Sequence, residues 1–195
     1  MFHSNKLVLI LPGILVGLMV FGGYYFLNHT ETVTNEEMKE FVELSLDAHP
    51  VKEGLKVVSE WDWTVMPEDG IYGEDYLGFA IEGGTLQTNA EFIEAHLEVY
   101  HASEIVYEST GTVIENGVIF AFPNEIAENT VVGNRGRAEI TIKGEGHISL
   151  EDISVQLLHT WVAHSPLTMT DATFRTPEFE HARNVPYWII SKDGQ

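Results

Sequence analysis

No cysteine occurs among the 195 residues of the chain. Disulfides, thiolate metal centres and a cysteine nucleophile are therefore excluded. Cations are scarce too: 10 Lys and Arg stand against 30 Asp and Glu, a formal net charge of −20. Phosphate binding needs clustered cations, so the expectation is no nucleic-acid partner. The familiar catalytic signatures are also missing. There is no Gly-x-Ser-x-Gly, His-Glu-x-x-His, phosphate-binding glycine loop or dinucleotide fingerprint. The expectation is a protein that is not an enzyme and carries no cofactor.

What is present begins with residues 7–27, 21 positions without a charge. As a helix this stretch spans roughly 31 Å, close to the thickness of a bilayer's hydrocarbon core. A cleaved signal peptide would have a shorter apolar core and a small-residue cleavage site. Here Tyr24, Tyr25 and Phe26 occupy that place, as interfacial aromatics do. The reading is a retained single-pass anchor in contact with membrane lipid. Gly13 and Gly17 form a small-xxx-small pair, which makes them candidates for packing against another membrane helix. Lys6 precedes the anchor and only Lys39 follows closely, which places the short tail in the cytoplasm and the head outside.

The expected organisation is a tail over 1–6, the anchor over 7–27, a juxtamembrane segment over 28–54 and a β domain over 55–195. Thr34 and Glu37 read as a capping box. With Met38, Phe41, Val42 and Leu46 at helical spacing, they predict a short amphipathic helix over 35–48.

From residue 55 the apolar period becomes two. Val57, Trp61, Trp63 and Val65 share a face. Leu77, Phe79 and Ile81 follow, ended by Gly83-Gly84. Ile93, Ala95, Leu97 and Val99 alternate with Glu94, His96, Glu98 and Tyr100. Asn116-Gly117 is a two-residue hairpin signal, both positions expecting positive φ. Ala138, Ile140 and Ile142 alternate next, then Ile153, Val155, Leu157, His159 and Trp161. Phe174 and the run over 185–190 supply the last two of about eight strands. The fold class is an antiparallel β-sandwich, immunoglobulin-like or a similar Greek key.

Candidate chemistry is sparse. His96 and His101 are five apart, as are His159 and His164, a spacing that sends strand side chains to opposite faces. The local stripe of Glu94, His96 and Glu98 reads as solvent-facing polarity. His159 lies on an apolar face and reads as a core histidine held by a hydrogen bond. Glu68, Asp69, Glu74 and Asp75 crowd one loop, whose spacing does not match an EF-hand. Arg135 and Arg137 form the basic turn, with nearby glutamates as partners. Trp61 and Trp63 read as core. The function expected is a membrane-anchored extracytoplasmic binding or accessory module with a protein partner in the membrane or envelope. The alternative is a copper- or zinc-handling protein that uses histidines of the sandwich.

Overall fold

A computed structural model describes residues 6–29, 32–81, 90–127, 130–144 and 148–194. Residues 1–5 of the expected tail and the Gly83-Gly84 turn lie outside them. The chain divides into two units, Met1–Thr32 and Val33–Gln195.

The first unit carries one helix, α1 (Lys6–His29), with Pro12 inside it. Its described side chains, those of residues 10–25, are exposed. Among the described residues no helix is long and apolar enough to cross a membrane.

The second unit is two antiparallel sheets of six strands each. Sheet A contains β1 (Val42–Leu44), β2 (Asp47–Val51), β3 (Gly54–Trp63), β5 (Ala90–His101), β6 (Glu104–Thr110) and β10 (Arg135–Gly144). Its order is β1-β3-β10-β5-β6, and β2 also pairs with β3. Sheet B contains β4 (Tyr72–Ile81), β7 (Thr112–Ile114), β8 (Gly117–Ala127), β9 (Thr130–Val132), β11 (Ile153–Thr160) and β12 (Tyr187–Asp193). Its order is β12-β11-β4-β8-β7, and β9 also pairs with β8. Val57, Trp61, Leu97, Val99, Ala138 and Ile140 of sheet A meet Leu77, Phe79, Phe120, Phe122, Val155 and Leu157 of sheet B in one buried core. This is a β-sandwich.

The other face of sheet B is covered as well. The connection over 161–186 lays Leu167, Ala172, Phe174 and Phe179 on Tyr76, Ala80, Ile119 and Leu158. Hence β11 is buried at every position. The strap sits so close that a Cβ on Gly78 would lie 2.2 Å from the carbonyl oxygen of Ala172.

Four expectations need correction. The segment over 35–48 is not a helix. The capping box forms, Glu37 accepting from the Thr34 amide and hydroxyl at 3.0 and 2.9 Å. Only one 3-10 turn follows, Met38–Glu40. The chain then enters β1 and β2, because the free edge of β3 offers backbone partners that an isolated short helix cannot match. The second correction concerns Asn116-Gly117, which is not the turn itself. Ile114 pairs with Gly117, so the turn residues are Glu115 and Asn116, and neither has positive φ. Gly117 is required because a Cβ there would meet the oxygen of Phe79 at 1.9 Å. Third, Phe174 lies in the strap at φ 50° and not in a strand. Finally, Ile93 faces outward, 40% exposed. A register shift between β5 and β10 at Thr141/Ile142 turns Phe92 inward in its place. Among the described residues twelve strands thus stand where about eight were expected.

Candidate functional site

The densest polar chemistry lies inside the sandwich. Asp75 on β4, Asn124 on β8, and His159 and Thr160 on β11 are buried side by side. Asn35, from the segment that opens the head, completes the group and is 1% exposed. Each strand carries an apolar alternation that drives its burial, and the polar residues are carried in with it. Burial without partners would cost several kcal/mol per group; each of these residues makes at least one hydrogen bond, while Asn124 Oδ1 and the nearby Trp63 Nε1 are buried without one.

Asp75 Oδ1 accepts from the amide of Thr160 at 3.0 Å and from Asn124 Nδ2 at 3.2 Å. Asn124 Nδ2 also donates to the carbonyl of Thr160 at 3.0 Å and lies 3.1 Å from His159 Nδ1. His159 Nδ1 lies 3.0 Å from Asp75 Oδ2, and His159 Nε2 lies 3.0 Å from Asn35 Oδ1. The Asn35 amide has one orientation, since its Nδ2 donates to Asp69 Oδ1 at 2.9 Å and to the carbonyl of Gly70 at 2.7 Å. Its oxygen therefore faces the ring, and Nε2 must donate. On the opposite side Nδ1 faces a carboxylate. Nδ1 therefore lies between the Asp75 carboxylate and the amide nitrogen of Asn124.

Three indoles enclose this ring. Trp188 lies 4.6 Å away between centroids, Trp63 presents its edge at 4.9 Å, and Trp161 stacks at 5.6 Å. Trp188 is itself held by a bond from Nε1 to the carbonyl of Asn35, 2.7 Å long. Both ring nitrogens of His159 thus face buried polar partners, Nδ1 toward Asp75 and Asn124 and Nε2 toward Asn35. The cluster is a clasp that joins the start of the head to both sheets.

The acidic loop is divided among separate partners. Asp75 is consumed by the clasp, and Asp69 accepts from the amide and side chain of Asn35. Glu74 accepts from the hydroxyl of Tyr76. Burial, reinforced by Glu74, pushes the Tyr76 phenol well above its ordinary range. His164, close by, bonds Thr160 Oγ1 at 2.8 Å and the carbonyl of Ser165 at 2.8 Å.

The outer face of sheet A carries several ion pairs. Arg135 pairs with Asp62 at 3.7 Å, Arg137 with Glu139 at 3.3 Å, and Lys56 with Glu139 at 2.8 Å. The arginines of the basic turn thus have the carboxylate partners expected of them. A groove of about 680 Å³ opens beside them, lined in part by Glu43, Glu60, Tyr100 and Ser103. Of the expected stripe, His96 and Glu98 converge and Glu94 does not join them. Glu108 from β6, which local spacing did not reveal, takes its place. Trp61 and Trp63 are both buried, and Trp61 donates to the carbonyl of Gly133 at 2.8 Å. In α1, nothing lies within 4 Å of a Cβ built on Gly13 or Gly17.

No protein-family model matches the chain, and no curated protein matches it.

Proposed function

We propose that the protein is a membrane-anchored, extracytoplasmic and non-catalytic binding or accessory module, held in the bilayer by residues 7–27. The observation that carries this reading is α1, a 24-residue helix whose interior holds no charged side chain. The uncharged run over 7–27 would be roughly 31 Å long as a helix, close to the hydrocarbon thickness of a bilayer. The aromatic cluster at 24–26 sits at its outer end, where a membrane–water interface would lie. Lys6 at its start favours the tail inside and the head outside.

The head supports a binding role over catalysis. Its most elaborate polar cluster is closed and buried, which suits rigidity. The chain passes repeatedly between the two sheets, as in Greek-key sandwiches of the immunoglobulin-like kind. Gly13 and Gly17 would let a partner helix approach backbone to backbone. Crosslinking in intact membranes, followed by mass spectrometry, tests the assignment. The expected result is a membrane or envelope protein joined to this chain, with the yield reduced by Gly13→Leu and Gly17→Leu. Recovery of the chain only by itself would overturn it.

A further inference from the structure

We propose that His96, Glu98 and Glu108, on the outer face of β5 and β6, bind a divalent zinc-type cation. The inference does not rest on the membrane reading, and the site lies apart from the buried clasp.

The pairing register puts Glu98 directly opposite Glu108. Like charges opposed across an antiparallel pair are destabilising unless something positive stands between them. His96, two residues earlier on the same face, points its Nε2 at both: it lies 3.4 Å from Glu98 Oε1 and 3.4 Å from Glu108 Oε1. All three ligand atoms lie within 4.8 Å of one another. Donors bound about 2.0–2.1 Å from a tetrahedral ion are roughly 3.3–3.4 Å apart. One imidazole and two carboxylates form a donor set suited to zinc, and the two carboxylates balance its charge.

The surroundings fit a ligand set with an open fourth position. The hydroxyl of Tyr100 donates to Glu98 Oε2. That bond occupies the far oxygen and leaves Oε1 turned toward His96, as outer partners of metal-bound carboxylates do. A register shift at Val99/Tyr100 lies immediately beyond and sets this local geometry. Arg137 stands in register with Glu98, yet its Nη2 turns to Glu139. A cavity of about 160 Å³, lined by His96, Glu98, Arg137 and Glu139, leaves room beside the cluster for the ion's water. His96 is 40% exposed at its side chain, so an ion can enter from solvent.

The test uses the full chain in detergent, without a histidine tag and stripped with a chelator. Zinc is titrated by calorimetry, and Tm is followed with and without zinc. Wild type is expected to bind one zinc per chain and to show a higher Tm with it, by mass action. His96→Ala and Glu108→Gln are each expected to weaken binding at least tenfold and to abolish the Tm shift. Glu94→Gln, on the same strand outside the cluster, is expected to change neither. Their circular dichroism, matched to wild type, shows that the variants fold. Zinc binding that survives both ligand substitutions, or that calcium reproduces equally, would overturn the proposal. So would a Tm indifferent to zinc, the result expected if His96 bridges the two carboxylates by itself as an imidazolium.

Discussion

His159 and Asn35, 124 residues apart, meet at 3.0 Å inside the sandwich, ring nitrogen to amide oxygen. The bond ties the segment that opens the head to a strand in the middle of sheet B. Trp188, near the carboxyl end, closes on the backbone of the same Asn35. Three distant parts of the chain are fastened at one point.

Removing the carboxylate of this clasp should be severe. Asp75→Asn replaces the carboxylate that accepts from the Thr160 amide and Asn124 Nδ2 and faces His159 Nδ1, and each buried partner left unmatched costs about 1–3 kcal/mol. Urea unfolding of the full chain in detergent measures this. A loss below about 1 kcal/mol would mean that the carboxylate carries little of the head's stability.

Asn35→Ala removes the acceptor for His159 Nε2 and the donors to Asp69 and Gly70. Each buried partner left unmatched costs about 1–3 kcal/mol. Hydrogen exchange is expected to rise first over 33–41, before the strands of sheet A open. Uniform acceleration across the head would show that Asn35 does not act locally.

Gly78→Ala places a methyl group against the carbonyl of Ala172 and should lift the strap from sheet B. The expected cost is about 1–3 kcal/mol, as for an overpacked core. Limited proteolysis should then cut within 161–186 while the remaining strands stay intact.

Asp171 gives the strap an acid-side dependence. Its partial burial opposes ionisation, but bonds from Thr173, Asn116 and Arg175 outweigh that effect and hold its carboxyl below the ordinary value. A depressed folded-state value contributes stability above the unfolded value and loses it as pH falls through the folded one. Asp171→Asn should therefore be less stable than wild type at pH 7, with the gap closing as the solution becomes strongly acidic. Urea midpoints at several pH values measure the gap.

What could be read from the chain was what is local. The alternation in Val57, Trp61 and Trp63, and in Ala138, Ile140 and Ile142, is a property of one strand at a time and names the buried face. The outward turn of Ile93 depends on how β5 pairs with β10, which a single strand does not encode. The capping box at Thr34 is real, but Val42, Leu44 and Leu46 fit a strand as well as a helix. The open edge of β3 decides between them. His159 stood out as a polar residue on an apolar face, yet nothing near it indicates Asp75 or Asn35, since the fold alone unites them. Similarly, His96 and Glu98 lay in one stripe, whereas Glu108 arrives through the hairpin at Ala102, a non-glycine residue at φ 54°.

The central claim is an anchored head outside the cell membrane, and alkaline extraction of native membranes combined with external protease tests it most directly. The account predicts that the full-length chain stays in the membrane pellet and that protease added outside removes the head, leaving the fragment around 7–27 embedded. Release of the chain into the alkaline supernatant, or a mature polypeptide that starts after Phe26, would contradict it.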